Sequence, residues 1–440
     1  MTVDRREFLK LATAGAGLTL AGAKSTSATE SSKSKLNAPA VSKGQGSEIV
    51  VVGAGAFGMW TALNLVRQGA DVTVVDPYGP ANSRQTSGGE TRGVRTSYGD
   101  RMHGDQWAVW GAEAIRRWNA WDEEHGADML PKLFFNTGDL ILRPEMEPYL
   151  EDTMANWNAI GTPYEQLDMD EVRRRWPWIK LDEMNVALYE PGAGVVRARR
   201  AIESVAKVFE REGGKFVLGR AALGDQTGGR LNHVSVAPGE NVSGQTFVLA
   251  VGPWFPKFLP ELMGKRLRIP IGHVFYFGIP SGNNNFMFPN MPSYGVPGCT
   301  GWPALTGDHR GFRVRTGGRP PQDPDESDRW IDKEHHERPR EILERFFPDL
   351  VGQPVLETRA CHYESSIDSN FIVDKHPDFD NVWIAGGGSA EAFKFGPMLG
   401  EYIAKRVLDM DDQPELAEGF ELNEEEFEEG ENWGRSRRRR

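Results

Sequence analysis

Near residue 50 the chain commits itself to a strand, a glycine turn, a helix and a second strand in immediate succession. Glu48-Ile49-Val50-Val51-Val52 is short, apolar and β-branched, too short for a helix and suited to a parallel strand buried on both faces. It runs into Gly53-Ala54-Gly55-Ala56-Phe57-Gly58, then helix-forming residues from Met59 to Gln68, with Gly69 as the stop. Asp71 to Val75 reads as the next strand, closing at Asp76 and Pro77. Gly53 permits the sharp turn, Gly55 lets backbone approach a pyrophosphate, and Gly58 lets helix pack close on strand. The N-terminus of the helix that follows offers free N–H groups and a positive dipole to phosphate. Asp76 stands where a carboxylate accepts hydrogen bonds from ribose hydroxyls. The complete order predicts a dinucleotide-binding α/β unit.

Composition narrows the remaining classes. With 440 residues, one large or two medium domains can each bury a core. A formal charge of −12 leaves no cation excess for nucleic acid. The 2 cysteines cannot build a disulfide scaffold or a four-cysteine zinc site. The 9 histidines lack a two-histidine metal spacing with a third ligand, so no metal is expected. Gly387-Gly388-Ser389-Ala390-Glu391 lacks the second glycine of a hydrolase nucleophile elbow. No apolar run is long enough for a stable membrane span.

Both ends are low in complexity. Arg5-Arg6-Glu7-Phe8-Leu9-Lys10 precedes a Gly/Ala-rich apolar stretch with a small-residue cleavage site at Ala21-Gly22-Ala23. This resembles a twin-arginine export signal. Residues 1–30 are read as that signal and 31–46 as a Ser/Lys/Gly-rich linker. The twin-arginine translocase is thus an expected transient partner, and the expected location is periplasmic or extracellular. Residues 413–440, acidic from Glu415 to Glu431 and then basic, are read as a solvated tail.

Beyond the glycine turn, Thr86-Ser87-Gly88-Gly89-Glu90-Thr91-Arg92-Gly93-Val94-Arg95 matches the Ser-Ser-His-Gly-x-Thr-Arg-x-x-Arg flavin segment of a known family. Val248 to Trp254, Cys361-His362-Tyr363 with Asp368, Phe371 and Asp374, and Ala385 to Glu401 match three more of its segments in order. The chain therefore resembles the monomeric sarcosine oxidase and N-methyl amino acid oxidase family of D-amino-acid-oxidase-like FAD enzymes.

The resemblance implies FAD as cofactor and a small amine or amino acid as substrate, with O2 or another electron acceptor. It places Gly53, Gly55, Ala56, Phe57, Gly58, Asp76, Pro77, Ser83, Thr86, Thr91, Arg92, Cys361, Gly386, Gly387 and Lys394 around the cofactor. Arg95 and Lys394 are implied carboxylate anchors, a task that suits the planar fork of arginine, and Arg92 lies near the flavin. Arg313, in Gly311-Phe312-Arg313-Val314-Arg315, matches the family's oxygen-activating lysine. Strand alternation puts Arg313 and Arg315 on one face. Cys361 is either a thioether to the flavin or a plain thiol, the latter able to pair with Cys299 outside the cell. Three departures stand out: Gly88 and Glu391 replace histidines, and Arg313 replaces a lysine. Glu391 suits either a cationic substrate group or an ion pair with a neighbouring arginine.

The implied architecture is a Rossmann-like FAD domain interrupted twice, over 47–115, 190–262 and 355–412. A mixed-sheet substrate domain fills 116–189 and 263–354. Gly272 to Phe277 is a strand of it, its aromatics lining a cage or simply packing the core. Three functions remain open at this point: an exported oxidase making imine and hydrogen peroxide, a dehydrogenase using another acceptor, and a flavin-binding module without catalysis.

Overall fold

The computed structural model describes residues 48–99, 106–126, 132–307 and 310–428, all inside the unit Lys43–Arg440. The export signal and linker read over 1–46 and the basic residues 435–440 lie outside the described residues.

Glu48–Val52 sits near the middle of a 6-stranded sheet ordered Ile372–Lys375, Val382–Gly386, Thr246–Leu249, Glu48–Val52, Asp71–Asp76, Lys215–Leu218. Every pairing is parallel except the edge pair Ile372–Lys375 with Val382–Gly386. Period-two alternation sends successive valines to opposite faces. Ile49 and Val51 join the core beneath helices Ala56–Arg67, Ala198–Arg211 and Gly396–Val407, whereas Val50 and Val52 pack with Phe247, Leu249 and Ile384 on the other side. Both faces are covered, which is why this strand needs no polar alternation.

The second sheet has 8 strands, ordered Val355–His362, Ile271–Phe277, Phe312–Arg319, Cys299–Trp302, Ser293–Val296, Asp139–Arg143, Val186–Glu190, Glu165–Leu167. Only Ser293–Val296 and Asp139–Arg143 run parallel; the other pairs are antiparallel. Phe275, Phe277, Phe312 and Val314 pack under helix Glu337–Phe346 with Leu343 and Phe346. Their alternates Val274, Tyr276, Arg313 and Arg315 face a cavity. The two readings of Gly272 to Phe277 therefore divide by parity: Phe275 and Phe277 are core, and Tyr276 is cavity wall.

Several sequence expectations change here. Val355–His362, read with the nucleotide segment 355–412, hydrogen-bonds to Ile271–Phe277 in the large sheet. Gln106–His125 is one helix across the 115/116 boundary, and its Trp107, Trp110, Trp118 and Trp121 pack on the nucleotide-sheet core. The charged run from Asp332 to Arg345 divides into a 3-10 turn Lys333–His336 and helix Glu337–Phe346. Cys299 and Cys361 are both free. They lie on strands separated by two others, roughly 14 Å apart at the usual strand spacing, beyond disulfide reach.

Residues 413–428 are not a solvated tail. Leu416 and Phe420 are buried, and the Phe420 ring lies 5.7 Å from Phe371 and 5.6 Å from Tyr402. Leu422 N–H donates to Asp374 at 3.0 Å, and Arg266 Nε donates to the Asn423 carbonyl at 2.8 Å. The acidic residues keep to the water-facing side while Leu416 and Phe420 anchor the segment. Phe420→Ala should lower the unfolding free energy by about 3–5 kcal/mol. Exposed Glu421→Gln should stay within about 0.5 kcal/mol. Urea denaturation of the two variants measures the difference.

Candidate active site

Where the carboxyl ends of the parallel strands meet the polar face of the large sheet, a cavity of about 590 Å³ opens. Open α/β sheets bind ligands outside this end of their strands. The backbone at the glycine turn is close-packed. A Cβ on Gly53 would lie 2.3 Å from the Ala250 carbonyl, and one on Gly58 1.8 Å from the Gly53 carbonyl. Gly53 also has φ +111°, a region that favours glycine. At Gly55 the nearest atom to such a Cβ is Ser87 Oγ, at 3.6 Å, and Gly55 itself lines the cavity. One side of the turn thus locks helix to sheet and the other leaves backbone bare to a ligand. Asp76 lies beside it, its Oδ2 accepting from Ala54 N–H at 2.9 Å and its Oδ1 from Tyr78 N–H at 2.8 Å. Burial raises its pKa, and those N–H groups oppose the rise. A glycine cradle closed by a carboxylate fits the pyrophosphate and ribose of FAD.

Gly53, Gly55, Ala56, Phe57, Asp76, Pro77, Thr86, Thr91, Arg92, Arg95, Arg313, Cys361 and Lys394 all line this one cavity. Gly58, Ser83, Gly386 and Gly387 are not on its wall. Gly58 is spent on helix packing, and the Ser83 carbonyl accepts from Arg359 at 2.7 Å. At Gly386 a Cβ would meet the Phe255 ring at 2.5 Å, and Gly387 turns the chain at φ +67°. It is Gly388 that reaches the wall.

On the opposite wall, Cys361 sits between two guanidinium groups. Arg92 Nη2 approaches its Sγ at 3.7 Å and also donates to the Thr86 carbonyl, while Nη1 donates to the Thr91 carbonyl at 2.7 Å. Arg359 precedes Cys361 by two residues on strand Val355–His362 and so shares its face. Burial pushes the thiol up, yet Arg92 and Arg359 together hold it below the ordinary cysteine value. Cys299, in contrast, is pushed up to about 12 by burial. Cations in this position favour the thiolate form over the thiol.

Thr91 Oγ1 ties the next part of the wall together, 3.0 Å from the Tyr276 hydroxyl and 3.0 Å from Trp302 Nε1. Arg313 stacks on Trp302 with Cζ 3.6 Å from the ring centre. Arg313 is buried, and its Nε and Nη1 find no partner among the described residues. Burial, with help from Arg315 and Arg92, lowers its pKa to about 10 against the pull of Tyr276, and it remains a cation at neutral pH. Unpaired buried donors of this kind call for an anion or a polar ligand.

Lys394 sits in the 3-10 turn Ala392–Phe395, buried, and forms an ion pair with Glu391. Of the two readings of Glu391, the ion pair is present, with a lysine in place of the expected arginine. Arg95 lies nearby. Burial alone would lower its pKa, but Tyr149, Asp139 and Glu391 raise it overall. Asp139, fully enclosed and on the cavity wall, leaves Oδ2 without a partner among the described residues. Sequence reading passed over Trp302, Asp139, Glu364 and Arg359 as site residues, and named Tyr276 only within the aromatic strand read as cage or core. Of those passed over, only Arg359 carried a signal, its two-residue spacing from Cys361.

Removing one cation beside the thiol should raise its pKa, so reaction as thiolate should need a higher pH. Arg359→Gln should therefore move the midpoint of Cys361 alkylation upward by about one unit, an electrostatic effect of roughly 1.4 kcal/mol. Iodoacetamide labelling rates of flavin-free protein across pH give the midpoint, and an unmoved midpoint would sink the pairing.

Residues 48–406 match the family model DAO, FAD dependent oxidoreductase. The chain is 27% identical over 386 residues to monomeric sarcosine oxidase of Bacillus sp. (strain B-0618), covering 82% of this chain and 92% of that protein. It is 25% identical over 369 residues to N-methyl-L-tryptophan oxidase of Yersinia pestis (strain Pestoides F), covering 81% and 94%. In fold it is similar to fructosamine oxidase (Amadoriase II) of Aspergillus fumigatus, with TM-score 0.72, 20% identity, and 86% and 90% coverage. L-proline dehydrogenase of P. horikoshii gives TM-score 0.71, 19% identity, and 86% and 99% coverage. With its glycine cradle, its cationic inner wall and a match that spans both sheets, this chain belongs to the DAO family of FAD-dependent oxidoreductases.

Proposed function

We propose that this enzyme oxidises the C–N bond of a secondary amine or N-substituted amino acid to an imine, works outside the cytoplasm, and passes the electrons to O2. The observation that carries the reading is the convergence of Arg95, Lys394 and Arg313 on the same cavity as the glycine cradle. FAD, when bound, accepts the hydrogen and electron pair that leave the α-carbon. The nitrogen loses its proton as the C=N bond forms, and O2 takes up the two electrons with two protons to give H2O2.

The protein's share is placement. Arg95 offers a planar donor fork to a carboxylate. Lys394 offers a second cation, and an arriving carboxylate must compete with Glu391 for it, which makes Arg95 the principal anchor. Asp139 and Glu391 keep this end of the cavity from becoming strongly cationic, so a zwitterion suits it better than a dianion. Arg313 supplies a fixed positive charge close to Trp302, available to negative charge that develops beside it. Arg92 and Arg359 ready Cys361 for covalent capture of the flavin.

A dehydrogenase using another acceptor is the second reading. Arg313 favours it, because a guanidinium stacked on an indole is bulkier than an ammonium and blocks more of the space O2 needs. The export part of the proposal rests on Arg5-Arg6-Glu7-Phe8-Leu9-Lys10 and the apolar stretch behind it.

Anaerobic mixing with N-methyl and secondary amino acids should bleach the flavin absorbance. Re-admission of air should restore it with one H2O2 per turnover. Bleaching without peroxide would select the dehydrogenase, and no bleaching by any amine would overturn amine oxidation. Arg95→Ala should lower kcat/KM for amino acid substrates about 10- to 150-fold, the range of a charged hydrogen bond, while FAD stays bound. Unchanged constants would remove Arg95 from the anchor role. Replacing Arg5 and Arg6 by lysine should hold the precursor in the cytoplasm, as read by cell fractionation.

A further inference from the structure

Glu364 follows the cysteine strand and lines the cavity, and no step above uses it. It is 6% exposed. Its position is defined by three glycines. A Cβ on Gly252 would lie 3.1 Å from Oε1 and one on Gly386 3.2 Å from Oε2, while Gly388 N–H donates to Oε2 at 3.1 Å. Gly252 follows strand Thr246–Leu249, and Gly386 ends strand Val382–Gly386. The former pairs directly with Glu48–Val52, the latter with the former, all in parallel. The carboxyl group therefore sits at the same end of the sheet as the Gly53–Gly58 turn. Ala250, two residues before Gly252, and Gly388 border that turn: a Cβ on Gly53 would strike the Ala250 carbonyl, and one on Gly388 would lie 3.2 Å from the Phe57 ring.

Glu364 is a second acid at this end of the sheet; unlike Asp76, which accepts from the Ala54 and Tyr78 N–H groups beside the turn, it lies against the closing glycine loop. The end of the sheet that receives a dinucleotide offers N–H groups and positive dipoles to phosphate, and a carboxylate there would repel it across a low-dielectric gap. The groups that face Glu364 are the Gly387 and Gly388 N–H groups of the closing turn, the backbone at Gly252 and the Phe255 ring beside Gly386. Among the described residues no charged side chain acts on its titration.

We propose that Glu364 binds FAD as the neutral acid, donating its carboxyl proton to a phosphate or hydroxyl oxygen of the cofactor, so that FAD uptake carries one proton with it. The balance is simple: carboxylate, proton and FAD give carboxylic acid hydrogen-bonded to FAD, with no electron transfer. In the flavin-free protein, burial already raises this carboxyl to about 7, with the Gly388 and Gly387 N–H groups pulling the other way. A proton-requiring complex then forms readily below that pH and with increasing difficulty above it, as the free acid becomes scarce. The inference rests on FAD being the cofactor and is independent of the substrate class, so failure of amine oxidation would leave it standing.

The test uses the full chain carrying Cys361→Ala, which keeps the flavin exchangeable, stripped of FAD and titrated calorimetrically in buffers of differing ionisation enthalpy. Uptake of about 0.9 proton per FAD is expected at pH 8 and about 0.1 at pH 6, with Kd rising about tenfold per pH unit above pH 8. Glu364→Gln, which keeps a neutral donor, should bind FAD with affinity near the wild-type low-pH value and with no proton uptake at pH 8. FAD binding with no proton uptake, or with release, at pH 8 would overturn the proposal without need of the variant. Undiminished uptake in Glu364→Gln would overturn it as well. Glu190, also raised to about 7 by burial, is the built-in control, because it is absent from the cavity wall and binds Thr96 instead.

Discussion

Everything in the molecule that handles a ligand depends on one backbone contact. Gly53, Gly58 and the Ala250 carbonyl meet so closely that no side chain fits at either glycine. This contact joins two neighbouring parallel strands to the first helix and fixes the helix N-terminus against the sheet's carboxyl end. The cavity then extends from that point to the polar face of the large sheet. Were the turn relaxed, the phosphate cradle and the distance to Arg313 and Cys361 would change together.

The second constraint is alternation. In the large sheet, one parity of residues builds a dry core with Phe275, Phe277, Phe312 and Val314, and the other carries Tyr276, Arg313 and Arg315 to the cavity. A slip of one residue in register would bury two guanidinium groups in hydrocarbon and expose phenyl rings to the ligand. That penalty ties the chemistry of the site to the stability of the fold. Around the cavity some cations are compensated, whereas Arg313 still feels Arg315 and Arg92. Glu391 pairs with Lys394, Asp139 and Glu391 act on Arg95, and the Cys361 sulfur moderates Arg92. The result is a cavity wall of fixed charges on which, among the described residues, Arg95 Nε, Arg313 Nε and Nη1, Arg359 Nε and Asp139 Oδ2 find no partner.

Much of this was legible from the chain. Strands Glu48–Val52 and Asp71–Asp76 and helix Ala56–Arg67 lie within a residue or a few of where periodicity put them, because local pattern and tertiary burial agree there. The Arg92–Arg95 segment, Lys394 and Cys361 could be named because short motifs survive in order along the chain. The acidic segment after residue 413 misled, since its few apolar residues, among them the buried Leu416 and Phe420, are scattered among many charges. Composition averages over a window, whereas docking needs only the residues that fit a hole. Asp139 and Trp302 had no local signature, and the strand pattern left Tyr276 between cage and core. They matter because pairing across the sheet brings Trp302 beside Arg313, and Tyr276 beside Arg313 on the next strand.

The sequence by itself determined the nucleotide fold, the cofactor class, the cationic character of the site and the parity that puts Arg313 and Arg315 on one face. The fold and the parity follow from spacing along the chain, which sets backbone period and turn geometry, and the cofactor class and the cations follow from the resemblance carried by short motifs. Only the tertiary structure decided which cations are spoken for, that Cys361 has two arginine neighbours and no disulfide partner, and that Glu364 stands uncompensated at the phosphate end. Those properties depend on distances between residues far apart in sequence and on how much water remains between them. Charge, burial and proton affinity are properties of such a neighbourhood, and the neighbourhood exists only after folding.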